Sequence, residues 1–120
     1  MSAPRTILVV EDDSIVRMLL IDVLEEEEYK VLEASTGSEA REFLDNSDCD
    51  IDLMMTDKSL PDIDGELLAK QARESRPELP ILFASGQPEN IDVPPDMHII
   101  GKPFSIDQLR AKVRTVLGEP

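Results

Sequence analysis

The chain alternates between short apolar runs and longer segments in which apolar residues recur every three or four positions. Short apolar runs are typical of strands buried on both faces, and the wider spacing is typical of helices with one buried side. The pattern predicts strands at residues 6–10, 29–35, 51–57, 81–85 and 97–100. It predicts helices at residues 14–28, 36–44, 65–75 and 105–117. The buried side of the third helix is predicted to carry Leu67, Leu68 and Ala72.

Strands that alternate with helices build a parallel sheet covered on both faces, and right-handed crossovers make that sheet open and doubly wound. The predicted fold class is therefore α/β, with a doubly wound five-stranded parallel sheet. One connection departs from the pattern, because the stretch between Ser85 and Lys102 contains Pro88, Pro94 and Pro95. Proline removes a backbone donor, so the fourth connecting helix is expected to be short or irregular.

Composition narrows the class of protein further. With 120 residues, the chain is predicted to form one domain with its own core, residues 1–120. The start "MSAPRT" and the end shortly after the last predicted helix favour a stand-alone protein without an output domain. The net charge of −14 argues against direct binding of nucleic acid or anionic lipid. A single cysteine, no signal peptide and no membrane-length apolar run predict a cytoplasmic protein without membrane insertion.

Polar residues collect where the predicted strands end. Glu11 and Asp12 follow strand one, and Asp57 ends strand three. Ser85 ends strand four, and Lys102 follows strand five. Sites in open α/β sheets lie beyond the carboxyl ends of the strands, so these side chains are expected to meet. Repulsion among close carboxylates favours a bound cation, and hard oxygen ligands suit Mg²⁺ or Mn²⁺. A carboxylate, a metal, an ammonium group and a hydroxyl are the parts of a phosphoryl-transfer site.

Each of these residues also has a purely structural interpretation. Asp12 and Asp13 are suited to cap the helix that follows them. Asp57 is compatible with a turn, Ser85 with a turn hydroxyl and Lys102 with a solvated surface lysine. Their occurrence together favours the metal and phosphoryl interpretation, whereas capping remains the interpretation for Asp13.

The segments "ILVVEDD", "MMTDKSLPDIDG", "LPILFAS" and "GKPF" resemble, in this order, the motifs of response-regulator receiver domains, the chemotaxis-regulator-like fold of two-component signalling. The resemblance covers essentially the whole chain. It implies the flavodoxin-like strand order 2-1-3-4-5 and a cis peptide bond before Pro103. The segment "FASG" is similar to the "FATG"-like motif of a receiver subgroup that occurs as single domains and in hybrid histidine kinases.

The resemblance implies a metal site for Mg²⁺ or Mn²⁺. Asp12 and Asp57 would bind the ion directly, and the backbone carbonyl of Ser59 would be the third protein ligand. Glu11 would act through a water molecule. Most family members have aspartate where Glu11 stands, and the glutamate still supplies a carboxylate.

The resemblance also implies roles in phosphorylation. Asp57 would be the phosphoacceptor, Lys102 its ion-pair partner, and Ser85 the hydroxyl that follows the phosphoryl group. Ser59 and Gln87, each two positions after one of these residues, would tune the lifetime of the phosphorylated state.

The switch of the family is expected to be altered in this chain. Most receivers carry an aromatic residue on strand five where this chain has Ile99, which has no ring to move and a restricted side chain. Ser85 can still move toward a phosphoryl oxygen. Phosphorylation is therefore expected to act on residues 86–97, and the surface of this segment, strand five and the last helix is expected to contact a partner.

The predicted function is that of a two-component response regulator. It would accept a phosphoryl group from a histidine kinase or histidine phosphotransfer protein, and then contact an unknown downstream protein or act as a phosphate sink. It would catalyse only its own phosphorylation and dephosphorylation. A haloacid-dehalogenase-like phosphatase is the enzymatic alternative, but that family has a second aspartate where Ser59 stands. A phosphorylation-independent pseudo-receiver is disfavoured because every required group is present.

Overall fold

The computed structural model describes residues 4–86 and 96–119. Within these ranges the strands are β1 (Thr6–Val10), β2 (Lys30–Ala34), β3 (Leu53–Asp57), β4 (Ile81–Ser85) and β5 (His98–Gly101). The helices are α1 (Ser14–Glu26), α2 (Gly37–Leu44), α3 (Gly65–Ser75) and α4 (Ile106–Leu117). The strands pair in parallel in the order β2-β1-β3-β4-β5, which confirms the predicted fold and strand order. The predicted short or irregular helix before β5 falls largely on residues 87–95, outside the part that is described.

The central strand β1 shows how the sheet divides the core into two layers. Ile7 and Val9 contribute to an apolar cluster that contains the buried residues of α1 and α4. Leu8 and Val10 contribute to the opposite cluster, with the buried residues of α2 and α3. Alternate residues of a strand point to opposite faces, so a strand covered on both sides is apolar throughout.

Two helices, α1 and α3, expose apolar residues that their spacing assigns to the buried side. Leu68 and Ala72 of α3 are buried as predicted, but the prediction for Leu67 is wrong because its side chain is 49% exposed. A step of one residue turns a helix by about 100°, which carries Leu67 away from the sheet. On α1 the apolar residues Met18 and Leu19 are 57% and 61% exposed. Together with Ile15, which is 66% exposed, they form a second apolar stripe on the solvent side of the helix.

Aspartates cap the N-termini of α1 and α3, which begin near the carboxyl edge of the sheet. Asp13 accepts hydrogen bonds from the amides of Ile15 at 2.9 Å and Val16 at 3.1 Å, which confirms its predicted capping role. Asp64 accepts from the amide of Glu66 at 2.8 Å at the start of α3. Asp13, rather than its neighbour Asp12, is therefore the residue that caps α1.

Candidate active site

The register of the sheet brings the predicted site residues to one edge. Asp57 lies opposite Ala84 in the β3–β4 pair, and Ser85 lies opposite Gly101 in the β4–β5 pair. The amide of Lys102 donates to the carbonyl of Ser85 at 2.7 Å, which continues the pairing by one residue. The ends of β3, β4 and β5 therefore stand side by side, as the placement rule for parallel sheets requires.

Three carboxylates converge at this edge. One oxygen each of Glu11, Asp12 and Asp57 lies within 4.8 Å of the others. Asp12 is exposed and Asp57 is half-buried, whereas Glu11 is only 3% exposed. This arrangement places a buried carboxylate under two that are accessible from solvent.

Lys102 is bound to two of these carboxylates. Its Nζ lies 3.2 Å from Oδ2 of Asp57 and 3.3 Å from Oε1 of Glu11. Burial acts to lower the pKa of Lys102, but the attraction of Glu11 and Asp57 outweighs it and the pKa is raised. The lysine is therefore a fixed positive charge beside Asp57.

A single lysine does not balance the negative charge of the cluster. Burial raises the pKa of Glu11 to about 7, against the opposing effect of Lys102 and with further upward contributions from Asp57 and Asp12. A second cation would therefore reduce the repulsion among these carboxylates. The ligands that the cluster offers are carboxylate oxygens, which suit a hard divalent ion such as Mg²⁺ or Mn²⁺.

The loop after Asp57 is tightly closed. The amide of Gly65 donates to the carbonyl of Lys58 at 2.6 Å, and Ser59 forms an isolated antiparallel bridge with Asp64. A Cβ atom on Gly65 would lie 2.8 Å from the carbonyl oxygen of Lys58 and still closer to that of Asp57. Glycine is required because α3 begins directly against the backbone of the β3 end. Ser59, the predicted metal and tuning residue, is held within this closed loop.

The remaining predicted residues occupy different surroundings. Ser85 is buried at the end of β4, next to the ends of β3 and β5. Ile99 is partly buried and packs on the core layer beneath α2 and α3. Gln87 lies outside the described residues, and so does most of the predicted switch segment. The peptide bond between Lys102 and Pro103 is cis, as the resemblance implied.

Arg17 supports the site, and the sequence analysis did not identify it. Its Nη1 donates to the carbonyl of Glu11 at 2.8 Å, and its Nε lies 3.4 Å from Oε1 of Glu33. A cation near the N-terminus of a helix opposes the helix dipole, and this unfavourable placement was the available signal. Arg17 holds the backbone that carries Glu11 and Asp12.

The family of the chain is established by comparison with known proteins. Residues 7–114 match the model of the response regulator receiver domain, so the chain belongs to that family. It is a receiver domain of two-component signalling, a family in which aspartate phosphorylation and Mg²⁺ binding are general features.

Two curated relatives come from Brucella abortus (strain 2308). The response regulator receiver protein CpdR is 33% identical over 119 residues, which cover 94% of this chain and 97% of CpdR. The sensor kinase CckA is 32% identical over 122 residues, and the chain spans 98% of its own length but only 13% of CckA. The chain thus matches nearly the whole length of CpdR but only a small part of CckA.

Solved structures agree in fold. The receiver domain of the hybrid histidine kinase CckA superposes with a TM-score of 0.83 at 34% identity, covering 93% of this chain and 98% of that domain. TrrA from Thermotoga maritima, solved in complex with Mg²⁺ and BeF, superposes with a TM-score of 0.82 at 28% identity, covering 93% and 98%. Among the helices of residues 4–86 and 96–119, none is long and apolar enough to cross a membrane.

Proposed function

We propose that Asp57 accepts a phosphoryl group from the phosphohistidine of a histidine kinase or histidine phosphotransfer protein. The observation that carries this proposal is the position of the Lys102 ammonium, 3.2 Å from Asp57 and 3.3 Å from Glu11, beside the exposed Asp12. A divalent ion, Mg²⁺ or Mn²⁺, would be held by Asp12, Asp57 and the carbonyl of Ser59, with Glu11 acting through a water molecule.

The transfer forms one bond and breaks another. An oxygen of Asp57 attacks phosphorus, and the bond between phosphorus and the donor imidazole nitrogen breaks. The electron pair of that bond stays on the nitrogen, which takes up a proton, and Asp57 becomes an acyl phosphate. Hydrolysis later returns the carboxylate, when water attacks phosphorus and inorganic phosphate leaves.

The residues of the chain stabilise the charge that moves in this reaction. Lys102 keeps its proton because of its two carboxylate partners, so it can form an ion pair with the transferred group. A bound divalent ion supplies further positive charge for the phosphoryl oxygens. The hydroxyl of Ser85 at the neighbouring strand end offers a hydrogen bond. Ser59 and Gln87 tune the rate of hydrolysis in this scheme.

The protein acts on itself rather than on a pool of substrates. Its site lacks the second aspartate of haloacid-dehalogenase-like phosphatases, because Ser59 stands two residues after Asp57. We propose that it functions in the cytoplasm and signals through contact with a downstream protein, or drains phosphoryl groups from its kinase. The net charge of −14 disfavours direct contact with nucleic acid.

One experiment separates this function from its alternatives. The protein is incubated with acetyl phosphate and Mg²⁺, and its intact mass and the rate of phosphate release are measured. A receiver accumulates one phosphoryl group and releases phosphate slowly. A phosphatase releases phosphate over many turnovers without accumulating label, and a pseudo-receiver does neither.

Magnesium is expected to stabilise the fold, because it relieves repulsion among Glu11, Asp12 and Asp57. Preferential binding to the native state gives a stabilisation of about 1–3 kcal/mol at accessible excess of metal. The melting temperature should rise with millimolar Mg²⁺ in the wild type and stay constant in Asp12→Ala. Asp13→Ala removes a neighbouring carboxylate that caps α1, so it should lower the melting temperature but keep the response to Mg²⁺. If the melting temperature of the wild type does not change with millimolar Mg²⁺, the proposed metal site is contradicted.

The phosphoryl donor is proposed to dock in an apolar groove beside the site. The groove, here called the α1–α4 groove, has a volume of about 500 Å³. It is lined by Val16, Leu19, Leu20, Val23, Lys102, Pro103, Phe104, Ser105, Ile106 and Leu109. Lys102 belongs both to this groove and to the Asp57 site, so the groove leads directly to the phosphoacceptor. Leu19 of the exposed stripe lines the groove, and the stripe suits the apolar side of a partner helix.

Placing charges on this stripe should separate donor recognition from chemistry. The donor for this test is the purified histidine kinase of the host that phosphorylates the wild type fastest. The double variant Met18→Glu with Leu19→Glu is expected to slow phosphotransfer from this kinase by at least about tenfold. Phosphorylation by acetyl phosphate should be unchanged, because the small donor needs no docking surface. Leu67→Glu, on the exposed side of α3, is the matched control. Equal loss with both donors would mean that the double variant damages the site rather than the docking surface.

A further inference from the structure

The loop of residues 58–64 is attached to the start of α2 through Asp62. Oδ1 of Asp62 accepts from the amide of Gly37 at 2.8 Å, and Oδ2 accepts from the amide of Ser38 at 3.0 Å. These are unpaired donors of the first turn of a helix, where a carboxylate is also favoured by the helix dipole. The pKa of Asp62 is lowered, chiefly by the hydrogen bond from Gly37, so the carboxylate stays ionised in this contact.

An apolar contact reinforces the attachment. Gly37 is buried, and a Cβ atom there would collide with Cγ2 of Ile63. The same Cβ would lie 3.3 Å from Oδ1 of Asp62. The loop therefore rests directly on the first turn of α2, at a distance that only glycine permits.

The attachment point, Asp62, and one proposed metal ligand, Ser59, belong to the same closed loop. The Ser59–Asp64 bridge and the hydrogen bond from Gly65 to Lys58 join the two ends of the loop. A displacement at Asp62 is therefore transmitted to Ser59, three residues earlier. The end of β3 is held independently, by its ladder with β4.

We propose that Asp62 is a positioning residue for the metal site, which sets the place of the Ser59 carbonyl relative to Asp12 and Asp57 by holding the loop on α2. This inference rests on the proposed function, because it assumes the metal site described above. If the contact between Asp62 and α2 favours metal binding, then metal binding must favour that contact to the same extent. Metal binding should therefore stabilise the first turn of α2.

The test is a Mg²⁺ titration followed by amide chemical shifts at a temperature where every variant is folded. Asp62→Ala should bind Mg²⁺ about tenfold more weakly, the usual effect of losing a residue that orients a metal ligand. Asp62→Asn keeps one acceptor oxygen and should fall between Asp62→Ala and the wild type. In the wild type, Mg²⁺ should shift the amides of Gly37 and Ser38, and this response should be lost in Asp62→Ala.

Two matched variants separate positioning from other effects. Thr36→Ala removes the cap that accepts from the amide of Glu39 at 3.1 Å, so it weakens the same turn of α2 without touching the loop. Glu42→Gln removes one exposed negative charge from α2. Both should bind Mg²⁺ within about twofold of the wild type.

The outcomes distinguish this proposal from the metal site itself. The positioning role is overturned if Asp62→Ala binds Mg²⁺ as tightly as the wild type. It is also overturned if Thr36→Ala or Glu42→Gln loses as much Mg²⁺ affinity as Asp62→Ala. Either result leaves the metal site in place. Failure of the wild type to bind Mg²⁺ overturns the metal site, and the positioning role with it.

Discussion

Asp57→Asn protein should take up no phosphoryl group from acetyl phosphate and Mg²⁺, whereas the wild type should take up one. An amide is a far poorer nucleophile than a carboxylate, and it loses the charge that binds Lys102 and the metal. The change is nearly isosteric at the end of a buried strand, so the fold should be retained. Intact mass after incubation, with hydroxylamine treatment to release acyl phosphate, measures the effect.

Asp13→Asn provides the control for this substitution. It makes the same chemical change one residue from Asp12, but asparagine caps helices as well as aspartate does, so α1 should be unaffected. Asp13→Asn should therefore be phosphorylated like the wild type. Hydroxylamine-labile phosphate on Asp57→Asn protein would show that another residue is the acceptor.

Gly65→Ala should destabilise the protein by about 3 kcal/mol, because the new methyl group has no room and its neighbours cannot move. The atoms in its way are the carbonyl oxygens of Asp57 and Lys58 and, at 2.9 Å, the Cα of Lys58. All of them are backbone atoms at the end of a central strand. Helix propensity alone predicts the opposite sign, a gain of about 0.5–1 kcal/mol when alanine replaces glycine in a helix. Urea denaturation of the two proteins decides between these outcomes.

Gly86→Ala is the appropriate comparison for Gly65→Ala. A Cβ on Gly86 meets nothing within 4 Å, so the change should stay within about 0.5 kcal/mol of the wild type. If Gly65→Ala is as stable as Gly86→Ala, the close approach of α3 to the β3 end is not what makes glycine necessary.

The strands and their edge could be predicted because they depend on local patterns. Runs such as residues 81–84 are apolar throughout. The rule for parallel sheets then places every strand end, including Asp57, at one edge. The limits of the strands depend on more than the apolar pattern. β3 begins at Leu53 rather than at residue 51, and the Asp52 carboxylate just before it accepts from the amide of Thr6 at 2.7 Å.

Contacts between distant elements could not be predicted in the same way. The hydrogen bond from the amide of Gly37 in α2 to Asp62 joins residues 25 positions apart, whose proximity appears only after folding. The exposed stripe of Met18 and Leu19 was indistinguishable from a core stripe, because apolar spacing reports a helix but not which side meets the sheet. Burial of Glu11, which raises its pKa to about 7, likewise follows from tertiary packing.

Helix α2 has eight residues. It is held at both ends by residues that come later in the chain, one in the loop of residues 58–64 and one directly after α3. Asp62 binds its first turn, and Arg76 donates to the carbonyls of Leu44 at 3.2 Å and Asn46 at 2.9 Å beyond its last turn. A helix this short gains little from its own propensity, so its stability comes from these anchors and its buried side. Substitutions at the outward-facing positions of α2 are consequently expected to cost the fold little.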